Sequence, residues 1–403
     1  MNKIQKQESP FKLATRTNWK FTPNELTLRL KALEASGASI LDLSESNPTR
    51  CKFEYLNHQL LAPFSNSENL RYDPASKGLS EARSTIQNYY SEKNVKVDSE
   101  RIFLTASTSE AYSFLFRLLL NPGERVLIPR PSYPLLDFLA DLNDIRLDSY
   151  DLDYDEDGWH IDTESLIDAC GSETKLVVLI HPNNPTGSFV KQKELNKLLE
   201  LAQEKSIALI SDEVFSDYSF FDDSERAPSL AANEEVLTFT LNGISKILGL
   251  PQMKLAWIIA NGPKNSLGSV LQRLEIISDT YLSVNTPVQK ALPSWLSMKK
   301  ANQDEIMMRI RNNYAFLGGL LANPHPASCL KTEGGWYAML KLPKIQNAEE
   351  WALEFLDQDR VYLYPGYFFD FRDEAYVILS LLPPPDIFNE GVSRILARIK
   401  NKC

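Results

Sequence analysis

The chain has 403 residues, 43% of them hydrophobic and 24% charged, enough for one large globular core plus a smaller one. A formal net charge of −10 argues against a nucleic-acid backbone or an anionic membrane surface as the main partner. The cysteines Cys51, Cys170, Cys329 and Cys403 form no CxxC pair and the histidines are equally scattered, so metal-ligand spacing is absent and a reducing compartment is expected.

Met1–Phe21 carries charge but no apolar run that could serve as a signal-peptide core. The strongest apolar runs, such as Lys175–Ile180, are strand-sized and far too short to cross a bilayer. A cytoplasmic protein is expected. The first helical period is Thr22–Ser36. From about Arg101 short β-rich runs alternate with helical ones: strand Ile102–Thr105, helix Ser109–Leu120, strand Val126–Pro129, helix Tyr133–Leu142 and strand Ile145–Asp151. Leu176–His181 is almost continuously apolar, as a strand covered on both faces must be. Helix Lys191–Lys205 and strands Ile207–Ser211, Val236–Leu241 and Leu255–Ala260 complete the series, and α+β character follows, with strands near Trp336–Lys341 and Tyr376–Leu381. This alternation predicts an α/β protein with a mostly parallel sheet flanked by helices, plus a smaller α+β domain that the helix Thr22–Ser36 joins.

Sheets of this kind bind ligands beyond the carboxyl ends of their strands, so residues just after strands deserve the closest reading. Ser107, Thr108 and Ser109 follow one strand and open a helix; they either cap its first turn or form an anion cup from free amides and hydroxyls. Asn183-Asn184-Pro185-Thr186-Gly187 is strong turn chemistry, and an Asn amide there can also meet a ligand oxygen. Asp212 either caps the next segment or pairs with a protonated ring nitrogen, and Tyr133 is either core or a shelf for such a ring. Lys246, beyond another strand, is either a solvated lysine or a desolvated amine able to form an imine; Lys254 is its rival, better placed to neutralise a phosphate. No GxGxxG follows a predicted strand, which disfavours a nicotinamide enzyme.

Together these residues resemble fold-type I pyridoxal-phosphate enzymes, specifically class I/II aminotransferases, from about Thr22 to Lys400. The anchors are His181–Gly187 (HPNNPTG), Ser211–Val214 (SDEV), Ser245-Lys246, Arg71-Tyr72-Asp73-Pro74, Asn121-Pro122-Gly123-Glu124 and Gly334-Gly335-Trp336-Tyr337. The resemblance implies an N-terminal arm with part of the small domain in 1–50, a large cofactor-binding domain in 51–298 and the rest of the small domain in 299–403. It implies pyridoxal 5′-phosphate carried on Lys246, Asp212 on the pyridine nitrogen, Asn184 on the ring hydroxyl oxygen, Tyr133 stacked on the ring, and Ser107, Thr108, Ser109 and Lys254 on the phosphate. Tyr72 resembles the tyrosine that reaches the neighbouring subunit's phosphate, implying a homodimer with shared active sites.

The implied reaction is a ping-pong transfer from an amino acid-like donor to a 2-oxo acid-like acceptor, with no nucleic acid or membrane involved. The alternatives are a lyase, decarboxylase or racemase on the same fold, or a non-catalytic homologue that binds the cofactor. Three positions depart from the pattern. Phe215 replaces a tyrosine that donates to the ring oxygen, Lys254 an arginine on the phosphate, and Ile378 the arginine that clamps the substrate α-carboxylate. Arg50 and Arg372, the latter in Phe371-Arg372-Asp373, are the substitutes that the sequence offers for that clamp.

Overall fold

The apolar run before His181 is a strand covered on both faces, and it lies inside the largest sheet. The computed structural model describes residues 11–19, 22–372 and 375–403. Strands are numbered along the chain. After β1 (Leu41–Asp42) come β2 (Ile102–Thr105), β3 (Arg125–Arg130), β4 (Arg146–Tyr154) and β5 (Trp159–Ile161). Next are β6 (Thr174–Ile180), β7 (Ala208–Asp212), β8 (Thr238–Gly243) and β9 (Ala256–Asn261). Strands β2 to β9 form one sheet in the order β2-β9-β8-β7-β6-β3-β4-β5. The block from β4 through β3, β6 and β7 to β8 is parallel, as expected of strands alternating with helices.

Strand β9 breaks the parallel rule by running against both β2 and β8. The connection into it holds only the short helix Ile244–Ile247 and a 3-10 turn, too little chain for a crossover, so the backbone folds straight back. Two helices begin later than their periodicity predicts. Glu25–Ala35 starts where Asn24 caps it by accepting from Thr27 N. Leu135–Leu142 starts after Pro134, which leaves Tyr133 in the preceding loop. The other elements keep close to their expected bounds.

The second layer contains β10 (Ser328–Cys329), β11 (Tyr337–Lys341), β12 (Val361–Tyr362), β13 (Tyr364–Pro365) and β14 (Tyr376–Ser380). β10, β11, β14 and β13 make an antiparallel sheet, while β12 pairs in parallel with β1. The two ends of the chain therefore meet in this layer, where helix Glu25–Ala35 lies against Ala348–Glu354. Among the described residues no helix is long and apolar enough to cross a membrane.

The turn after β6 meets the entrance to β11. Gly187 has φ +69°, and a Cβ there would lie 2.3 Å from the Gly334 carbonyl oxygen. Gly123 has φ +86° but open space around it. Gly187→Ala is therefore expected to cost about 2–5 kcal/mol, from left-handed strain plus overpacking, against about 1–2 kcal/mol for Gly123→Ala. Urea unfolding of both variants checks this; equal losses would mean that the close approach carries no weight.

Candidate active site

A cavity of about 300 Å³ lies beyond the carboxyl ends of β6, β7 and β8. Seven residues singled out from the sequence line it: Ser107, Thr108, Ser109, Tyr133, Asn184, Asp212 and Lys246. They come from separate stretches of chain, and the sheet brings them to one place.

Asp212 ends β7, and its neighbour Glu213 turns the other way. Glu213 is tied into the core by Ser211 Oγ at 2.9 Å, Ser229 Oγ at 2.6 Å and Leu230 N at 2.9 Å. The Asp212 carboxylate accepts from Tyr112 Oη at 2.9 Å and from Val214 N at 3.2 Å. Burial pushes its pKa up to about 6; those hydrogen bonds and the Lys246 charge act in the opposite sense. Tyr112 was missed in the sequence, although it stands one helical turn after Thr108 and so shares its face.

Lys246 sits in the helix Ile244–Ile247, and the Tyr218 hydroxyl donates to its carbonyl oxygen at 2.7 Å. Its amine lies 5.1 Å from the Phe215 ring centre and 4.8 Å from that of Trp336, themselves packed edge to face. Burial lowers its pKa to about 8 against the pull of Asp212. An amine held there is unprotonated far more often near neutrality than a surface lysine, so it can act as a nucleophile or base.

Ser107 caps the helix and also lines the cavity. Its Oγ accepts from Glu110 N at 3.1 Å as an N-cap, and the helix Thr108–Leu119 presents its first turn to the cavity through Thr108 and Ser109. The two asparagines divide the work. Asn183 builds the turn, accepting from Thr186 N at 3.2 Å and Thr186 Oγ1 at 2.9 Å. Asn184 lines the cavity, and its side-chain oxygen has no hydrogen-bond partner among the described residues. Such a buried amide end is the kind that a bound ligand completes. Tyr133, 46% exposed, lines the same cavity.

Four expected site residues stand outside the lining. Tyr72 is 72% exposed. Lys254 is exposed just before β9 with φ +54°, although Pro251 and Ala256 on either side of it line the cavity. The two arginines offered for the carboxylate clamp are engaged elsewhere. Arg50 faces Glu45 at 3.6 Å. Arg372 pairs at 2.7 Å with Asp151, which also takes a forked contact from Arg130 at 2.9 and 2.8 Å. Asp373 lies outside the described residues. Ile378 is fully buried in β14, opposite Met339 and Tyr364. Instead, Ser46 and Tyr337 line the cavity from the second layer. Tyr337 closes the Gly334-Gly335-Trp336-Tyr337 anchor, which was the signal for it; Ser46 gave none beyond its turn-rich neighbourhood.

Residues 40–381 match the family model for aminotransferase class I and II. A glutamate–pyruvate aminotransferase AlaA of Haemophilus influenzae is 27% identical over 372 residues, covering 90% of this chain and 91% of the relative. A tyrosine aminotransferase of Dictyostelium discoideum is 24% identical over 375 residues, covering 89% of this chain and 88% of the relative. Among solved structures, an aminotransferase from Escherichia coli superposes with a TM-score of 0.84 at 25% identity, over 97% of this chain and all 100% of the other. An alanine aminotransferase from Pyrococcus furiosus superposes with a TM-score of 0.87 at 24% identity, over 97% and 100%. A match running from β1 through β14, on a cavity that already gathers a desolvated amine and a buried carboxylate, leaves one assignment: this chain belongs to the class I and II aminotransferases.

Proposed function

We propose that this aminotransferase carries pyridoxal 5′-phosphate on Lys246 and passes an amino group from a donor to a carbonyl acceptor in a ping-pong cycle. The observation that carries this reading is a buried lysine amine and a buried aspartate carboxylate lining one cavity, with a helix N-terminus at its edge. When bound, the cofactor supplies an electron sink for a substrate carbon that has lost a proton. Everything else is done by the chain.

Lys246 Nζ, kept near pKa 8 by burial, takes the proton from the reacting carbon and returns it. Asp212, whose two oxygens are held by Tyr112 Oη and Val214 N, would hold the ring nitrogen and keep it protonated. The side-chain N–H of Asn184 would donate to the ring oxygen, and Tyr133 would stack on the ring. First-turn amides and the side chains of Ser107, Thr108 and Ser109 would hold the phosphate, and Lys254, between the lining residues Pro251 and Ala256, would supply a charge to it.

The exposure of Tyr72, on a segment where Leu70 is 90% exposed, supports its reaching the neighbouring subunit's phosphate in a homodimer. The second layer's discontinuous origin supports a division into a large domain at 51–298 and a small one built from 1–50 and 299–403. Four free cysteines and a net charge of −10 fit a reducing cytoplasm.

Borohydride reduction of the holoenzyme should fix the cofactor on Lys246, and Lys246→Ala should lower turnover by about 10²–10⁴-fold. A mass-mapped adduct on any other lysine would sink the assignment. Phe215→Tyr restores a hydroxyl beside the ring oxygen, so the pH midpoint of the cofactor's visible band should fall by about one unit. An unchanged or higher midpoint would contradict it.

In the cofactor-free protein, the raised pKa of Asp212 favours folding in its neutral form. That stability is complete below the unfolded value of about 4 and is lost as pH rises through the folded value of about 6. Asp212→Asn should remove this decline, worth about 2–3 kcal/mol, from urea-unfolding profiles between pH 4 and 6. Parallel profiles for both proteins would show that Asp212 does not titrate this way.

A further inference from the structure

The charges around the substrate end of the cavity do not suit an anion. Among the described residues lining the cavity, Lys246 is the one cation, and its amine is the reacting group. The two arginines offered for a carboxylate clamp are exposed and already face carboxylates, Arg50 beside Glu45 and Arg372 beside Asp151. The second layer contributes neutral hydroxyls from Ser46 and Tyr337. Glu45, the chain neighbour of Ser46, already engages the Arg50 guanidinium at 3.6 Å. Ile378, inside β14, adds only apolar surface. A carboxylate brought into this setting would lose its water and find no guanidinium among the described lining residues. An uncharged group that accepts or donates hydrogen bonds would meet hydroxyls suited to both.

We propose that the substituent next to the substrate's amino-bearing carbon is uncharged, so that the donor is an amino amide or amino alcohol rather than a free α-amino acid, with Ser46 and Tyr337 selecting it. This rests on the transamination reading above. The exchange balances without an outside oxidant. The donor carbon gives up its amino group and one hydrogen and takes an oxygen, becoming a ketone. The acceptor's carbonyl carbon gives up that oxygen and receives both. The selectivity is set by the missing cation, so inserting a guanidinium should reverse it.

The test uses the holoenzyme and three probes with one side chain: L-phenylalanine, L-phenylalaninamide and L-phenylalaninol. Single-turnover conversion of the cofactor band gives kcat/KM for the half-reaction with each. The amide and the alcohol are expected to exceed the amino acid by at least about tenfold, since a buried charge without a partner is penalised that heavily. Equal or faster reaction of phenylalanine, or no reaction with either neutral probe, overturns the proposal. Ile378→Arg should shift the ratio towards phenylalanine by about tenfold or more. Because that side chain is fully buried and an arginine there strains the fold, Arg50→Gln and Arg372→Gln provide a second arm. Neither should change the ratio of neutral to charged probe, and a tenfold loss confined to phenylalanine in either would reveal a guanidinium clamp and overturn the proposal. Release of free ammonia with the cofactor unconverted would fail the transamination reading instead, while the ranking of the three probes would still decide the substrate class.

Discussion

Two opposite charges, Asp212 and Lys246, are buried beside one cavity without collapsing into a tight ion pair, and much of the structure serves to keep them so. Each is costly, since burial raises the carboxylate's pKa and lowers the amine's. Tyr112 and Val214 compensate Asp212 with hydrogen bonds, and two aromatic rings flank Lys246. Their separation is a matter of register. Asp212 pairs with Leu241 across β7 and β8, so Asn242 and Gly243 carry β8 past the end of β7 before the turn that bears Lys246. Neighbouring strands set that spacing more firmly than a loop could.

The second layer is locked to the first by contacts that leave little freedom. Gly334 sits so close to Tyr218 that a Cβ would lie 2.3 Å from its carbonyl oxygen, and Gly335 N donates to that same oxygen at 2.8 Å. Glu333, almost fully buried, accepts from Phe189 N at 2.9 Å and from Lys191 Nζ at 2.7 Å, and Lys191 also reaches Asp223 at 2.7 Å. A buried pair of this kind contributes little net stability but tolerates few alternative arrangements. It fixes where Trp336 and Tyr337 stand, and with Tyr337 one wall of the cavity.

Much of this was legible in advance because the signals were local. Apolar continuity marked β6, turn chemistry marked Asn183–Gly187, and the position of Asp212 and Lys246 just after strands marked them as chemical. Tyr112 and Ser46 were not legible. One is an ordinary helical tyrosine and the other an ordinary loop serine until the fold brings them to the cavity. The reversal of β9 escaped for a related reason, since strand direction is set by the connection and not by strand composition.

The sequence by itself determined the α/β class, the residues that open the cavity and the absence of an arginine at position 378, because strand periodicity, turn residues and side-chain identity are written residue by residue. Only the tertiary structure decided that Arg50 and Arg372 are committed to Glu45 and Asp151, and that hydroxyls from the second layer stand at the cavity instead. Partners distant in sequence are chosen by packing, and a side chain's charge does not say which opposite charge it will meet.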